Sequence, residues 1–167
     1  GSWLMSPKKI EDFLNPKIVV REVAGKKLNS CFDDSGYFTN DTTHMIRGVD
    51  TPILKYFLTL INSKLIGWYF RKFFGEGNDL FPKIKVNELK DLPIKQISEK
   101  SQQPFTEKAD VMLSLNKNLQ ELYSKFQRNL QREFEQIDKL SKKLESWYEL
   151  SYADFLKELK KKKVELS

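Results

Sequence analysis

Cysteine and histidine each occur once in this 167-residue chain, as Cys31 and His44. A lone thiol excludes an internal disulfide, and one thiol with one imidazole cannot make a Cys/His zinc set. That usage suits a reducing, cytoplasmic setting. No Gly-x-Gly-x-x-Gly or Gly-Lys-Ser/Thr loop is present to cradle a phosphate. The six prolines (Pro7, Pro16, Pro52, Pro82, Pro93 and Pro104) are all isolated, and from Phe105 onward there is neither glycine nor proline. The most apolar stretch, residues 53–74, is interrupted by Lys55, Lys64, Arg71 and Lys72, so no membrane span is expected and the chain reads as soluble. Trp3-Leu-Met is too short for a signal peptide, and the leading Gly1-Ser2 reads as a cloning remnant.

What remains is sufficient for a packed domain. Apolar residues make up 40% of the chain, including 12 Phe, 6 Tyr and 3 Trp, so large side chains are available for a core. The formal charge is +6, with +4 carried by residues 1–100 and +2 by residues 101–167. An excess of that size is compatible with a polyanionic partner, and equally with an ordinary soluble basic protein.

Local pattern predicts an α+β fold: a small, mostly antiparallel sheet with short helices, then a long helix and a C-terminal helix. Lys17–Val23, "KIVVREV", is β-branched and suits a strand. The next stretch, "AGKKLNSCFDDSGYFTNDTTHMI", alternates turn signals with short apolar pieces, the pattern of hairpins. Thr51-Pro52 marks a helix start, followed by Ile53, Leu54, Phe57, Leu58, Leu60 and Ile61 at helical spacing. Asn62-Ser63 interrupts it, Lys64–Phe74 continues as a second short helix, and Gly75-Glu-Gly77 ends that. Phe81–Val86 alternates like a strand, placing Lys83 and Lys85 on one face.

Three segments are expected: residues 3–97, a linker at 98–104, and a helical part at 105–167. In the last, apolar residues from Met112 to Trp147 recur at steps of three and four with one eleven-residue insertion. One continuous helix over that stretch would be about 50 Å long. Its stripe needs a partner: another chain, another part of a longer protein, or itself folded back. Ser151 is an expected N-cap, with Asp154 in the first turn and Lys160–Lys163 at the C-terminal end of the last helix.

Chemistry is sparse. Asp79, Glu88 and Lys90 have the residue types of a Mg²⁺ nuclease, two carboxylates for the metal and a lysine for the attacking water. However, Glu-x-Lys recurs at Glu158-Leu-Lys160, and the surroundings of Glu88 are too poor in apolar residues for a buried strand. Cys31 is expected in the core and His44 in a structural role. Side chains suited to DNA are more abundant. Lys26, Lys27, Asn29, Asn40, Thr42, Thr43, Arg47, Arg71, Lys72, Lys83 and Lys85 all lie in polar, turn-rich or surface settings, where they could reach phosphates or base edges.

The order of the pieces is the most specific signal. "KIVVREVAGKKLNSCFDDSGYFTNDTTHMI", "LKYFLTLINSKLIGWYF" and "FPKIKVNELKDLPI", followed by a long helix and "WYELSYADFLKELKKKKVEL", resemble the TaqI-like C-terminal specificity domain. That family forms the C-terminal part of N-6 adenine DNA methyltransferases, including restriction-modification enzymes. It is similar, more distantly, to target recognition domains of type I specificity subunits. The resemblance implies sequence-specific binding of double-stranded DNA by a non-catalytic fragment whose partner is the catalytic methyltransferase part of a parent protein. It also implies that Asn62, Ser63 and Pro93 are scaffold and that Glu88 and Lys90 lie in an exit segment. The Asn/Asp-Pro-Pro-Tyr/Phe motif and the glycine-containing loop for S-adenosylmethionine are absent, so no cofactor is expected in this chain. S-adenosylmethionine, and Mg²⁺ where cleavage accompanies methylation, would belong to the parent. The two rival readings are the small nuclease and a helical interaction module that self-associates through the long helix.

Overall fold

The structure is a computed structural model that describes residues 9–23, 27–74, 83–134 and 137–164. It has the expected α+β architecture, and it divides into two compact units, residues 1–111 and residues 112–167.

In the first unit, helix α1 (Glu11–Leu14) leads into strand β1 (Lys17–Arg21), the centre of a three-stranded antiparallel sheet. Strand β2 (Ser30–Asp33) lies on one side and β3 (Thr43–Ile46) on the other. The register pairs Lys17 with Asp33, Val20 with both Ser30 and His44, and Arg21 with Thr43. Both flanking strands therefore run against β1, so residues 34–42 carry the chain from one end of the sheet to the other.

Ile18 and Val20 of β1 are fully buried, which period-two alternation places on one face. Helix α2 (Thr51–Ile61) packs on β1 and β2 and buries Leu54, Tyr56, Leu58 and Ile61. Its start carries the expected proline in the first turn. After the break at Asn62-Ser63, the Ser63 hydroxyl accepts from Ile66 N at 3.2 Å and caps α3 (Lys64–Phe73). This helix buries Ile66, Gly67 and Phe70. The Gly75–Gly77 stop signal lies outside the described residues.

The strand expected at 81–86 does not form over its described part. Lys83 makes a single antiparallel bridge to Val23, and Val86–Lys90 is a helix, α4. The alternation holds only briefly: Lys83 and Lys85 are exposed and Ile84 is buried, but Val86, which opens the helix, is exposed too. The Glu88 carboxylate accepts from Lys85 N at 2.8 Å, and this reach back to the N-cap makes a helix the better local solution. Leu92 is buried, and the Tyr56 hydroxyl donates to Lys95 O at 2.7 Å, tying the exit segment to α2.

Helix α5 (Glu99–Glu133) begins within the stretch expected as a linker and holds Pro104 inside it. Its first turns belong to the first unit. Phe105 meets Tyr56 edge-on at 5.3 Å, the Thr59 hydroxyl donates to Phe105 O at 3.1 Å, and Lys55 pairs with Asp110 at 2.5 Å. These contacts give the segment partners that a free linker would lack.

The second unit answers the question of the apolar stripe in two ways. The helix stops at Glu133 instead of continuing to Trp147, and the chain folds back. Leu130, Ile137, Leu144, Leu159 and Val164 form a buried cluster, with Phe126, Phe134, Leu140 and Phe155 packed against it. Burying each such side chain contributes about 1.5–3 kcal/mol, which a lone straight helix would forgo. Met112, Leu115, Leu119 and Leu122, by contrast, stay exposed. Helices α6 (Lys142–Glu145) and α7 (Tyr152–Lys161), separated by a 3₁₀ turn at Trp147–Glu149, complete the unit. Ser151 caps α7 as expected, accepting from Asp154 N at 3.1 Å. No described helix is long and apolar enough to cross a membrane.

Candidate nucleic-acid interface

One end of the sheet gathers polar side chains from three separate segments. Arg21 N donates to Asn29 O at 3.0 Å, Glu22 N to Thr42 O at 2.9 Å, and Ile84 N to Glu22 O at 2.7 Å. These backbone bonds, with the Arg21–Thr43 pairing and the Val23–Lys83 bridge, bring Asn29, Thr42, Thr43 and Lys83 around the C-terminal end of β1, with Lys27 two residues before Asn29 in the chain. Lys27, Asn29, Thr42 and Lys83 are exposed, and Thr43 is half-buried.

Several side chains there have defined partners. The Asn40 Oδ1 accepts from Thr42 N at 3.2 Å and from the Thr42 hydroxyl at 2.6 Å, while the Thr43 hydroxyl donates to Asn40 O at 3.0 Å. This Asx-type turn fixes the approach to β3 and leaves both hydroxyl oxygens as acceptors. Lys83 faces Glu22 at 3.5 Å, so its charge is partly neutralised, while Lys85 pairs with Glu88 at 3.8 Å. Both lysines are about two-thirds exposed, so these ion pairs hold them weakly and a phosphate could displace either carboxylate. Arg21, which the sequence reading passed over, is exposed at the same end. Its only sequence signal was its place at the end of an apolar strand.

The remaining expected contacts lie elsewhere. Arg47 follows β3 at the opposite end of the sheet and forms an ion pair with Asp12. Arg71 and Lys72 are in the last turn of α3. Lys26 lies outside the described residues. At the Arg47 end, Lys17 and Asp33 make a buried ion pair at 2.6 Å, and Lys17 also donates to Phe13 O. Asp33 accepts from Ser35 N at 2.9 Å and from Tyr37 N at 3.1 Å. Burial raises the Asp33 pKa, but the Lys17 hydrogen bond, the Ser35 amide, the Lys17 charge and the Tyr37 amide together hold it below the usual carboxylate range. The pair thus anchors the start of the 34–42 connection, which presents Tyr37 and Phe38 to solvent. Phe38 is steadied by Phe13 at 4.8 Å between ring centroids.

The rival catalytic groups do not assemble over the described residues. Asp79 lies outside them. Glu88 is occupied as a helix cap, while Lys90 lines a groove of about 790 Å³ beside β3 with His44, Val86 and Leu89. Among the described residues, no three His, Cys, Asp or Glu side chains are grouped to hold a metal. Cys31 is exposed on edge strand β2 rather than in the core, because its position in the alternation points away from the helical layer. Partial desolvation, with the Asp33 charge, pushes its thiol pKa up, the wrong direction for a nucleophile. His44 Nε2 lies 2.6 Å from Ile84 O; a carbonyl can only accept, so that nitrogen carries the proton and the ring is structural.

No curated protein and no solved structure matches the chain. Residues 98–167 match a domain family of unknown function, DUF8810. Residues 2–94, the part holding the sheet, α2, α3 and the Leu-Pro-Ile exit, match the TaqI-like C-terminal specificity domain. The chain belongs to the family of TaqI-like C-terminal specificity domains.

Proposed function

We propose that this chain binds double-stranded DNA and reads a short target as the recognition part of a restriction-modification adenine methyltransferase, with no catalysis of its own. The observation that carries this reading is the convergence of Lys27, Asn29, Thr42, Thr43 and Lys83, with Arg21, at one end of the sheet in a specificity-domain fold. Lysine and arginine would take phosphates there, and asparagine and threonine base edges. S-adenosylmethionine, and Mg²⁺ if the parent also cleaves, would be held by the catalytic part.

The exposed row Met112, Leu115, Leu119 and Leu122 supports a role for the helical unit in docking on that catalytic part. A second copy of the chain is the other partner such a row admits, and light scattering at rising concentration separates the two. The main test titrates a labelled mixed-sequence duplex at low salt, then at rising salt and with Mg²⁺. The expected result is binding that weakens steeply with salt while the DNA stays intact, with a defined sequence recovered from a random pool. Cleaved DNA, or no binding at low salt, would overturn the reading.

A further inference from the structure

Helix α3 presents an exposed outer face that the sheet-end cluster does not include. Lys64, Trp68 and Lys72 are spaced four residues apart, so they form one row along the helix, opposite the buried Ile66 and Phe70. Trp68 is 53% exposed and Leu65, beside the row, is 70% exposed. The Trp68 ring meets that of Phe73, itself exposed, edge-on at 6.5 Å between centroids, so an exposed aromatic pair and Leu65 lie beside two cations. The helix carries no carboxylate, and Lys64 and Lys72 have no ion-pair partner among the described residues.

We infer that this row is a second DNA contact, one that grips the sugar-phosphate backbone without reading sequence. The inference rests on the DNA-binding reading above and extends it to a face that reading does not include. The two ammonium groups sit on positions about 12 Å apart along the helix, at ~1.5 Å per residue, a span that covers several successive phosphates of one strand. Between them the indole offers an apolar face to the deoxyribose and an N–H, which can only donate, to a phosphate oxygen. A cationic surface would be repelled by the row, whereas a polyanion is attracted along its whole length.

The full chain, its Lys64→Ala/Lys72→Ala double variant and its Trp68→Phe variant are titrated with duplexes of several sequences at a series of salt concentrations. Tryptophan emission and anisotropy of the labelled DNA are both followed. The double variant should bind every duplex about tenfold more weakly, at on the order of half a decade per phosphate contact, with a salt slope shallower by about 2. Duplex should quench tryptophan emission in the full chain, and Trp68→Phe should remove most of that quenching. Unchanged affinity and slope in the double variant, with Lys27→Ala still weakening binding, would overturn the α3 contact and leave the DNA reading standing. Loss of all duplex binding by the full chain would overturn both. Quenching by polyglutamate at least as strong as by duplex would overturn DNA as the occupant and assign the row to an acidic protein.

Discussion

The carboxamide of Asn62 grips both backbone groups of Ser30: its Oδ1 accepts from Ser30 N at 3.2 Å, and its Nδ2 donates to Ser30 O at 3.1 Å. The same Nδ2 lies 3.1 Å from Leu58 O, so this side chain closes α2 and satisfies both backbone groups of Ser30, the first residue of edge strand β2. Asn62→Ala should therefore destabilise the first unit by about 1–2 kcal/mol, since each such bond contributes roughly 0.5–1.5 kcal/mol net and water can reach the vacated site. Asn62→Asp should do no better, because a carboxylate would face the Ser30 carbonyl. Urea midpoints at constant slope measure both.

Breaking the Lys17–Asp33 pair should be more damaging. Lys17 is fully buried and Asp33 nearly so, and removal of one partner leaves the other charge stranded. Lys17→Met should cost about 3–5 kcal/mol, typical of a broken buried pair. Loop 34–42 should loosen as well, read as faster amide exchange at Ser35 and Tyr37.

The same pair sets an acid limit. The folded pKa of Asp33 is lowered, so its contribution is complete above the unfolded value of about 3.9 and is lost as pH falls through the lower folded value. Stability followed by urea midpoint should hold from pH 7 to 5 and fall below pH 4. In Asp33→Asn, destabilised overall, the part of that acid slope due to Asp33 should vanish. An unchanged slope would assign acid sensitivity to other carboxylates.

At the sheet end, lysine and amide substitutions should separate. Lys27→Ala should weaken all duplexes alike and reduce the salt slope by about 1, whereas Asn29→Ala should change the sequence recovered from a random pool. A uniform effect from Asn29 would place it on the backbone.

Glu88→Ala tests the nuclease rival directly. The expected cost is the loss of an N-terminal cap, about 0.5–1 kcal/mol, with no Mg²⁺-dependent cutting by either form. Cutting that disappears with Glu88 would restore the rival.

Local signals in the sequence are largely reproduced in the fold. The Pro52 start, the Asn62-Ser63 break and the Ser151 cap each depend on residues within one helical turn, so a short window is enough to read them. The candidate site was legible only as a set of residue types. Lys83 pairs with Glu22 and Arg47 with Asp12, partners 61 and 35 residues away in the sequence, and no periodicity announces such pairs. The strand expected at 81–86 failed because a capping carboxylate three residues from Lys85 outweighed a brief alternation.

By itself the sequence determined the α+β class, the start of α2, the break after it, the cap of the last helix and the family, because periodicity, caps and turn chemistry act locally. Tertiary structure alone decided which polar side chains meet. Antiparallel register joins Arg21 to Thr43 and Val20 to both Ser30 and His44, and register depends on packing across the whole sheet. It also decided that the long helix ends at Glu133, since the apolar residues beyond are buried by folding back on it, while Met112, Leu115, Leu119 and Leu122 stay exposed.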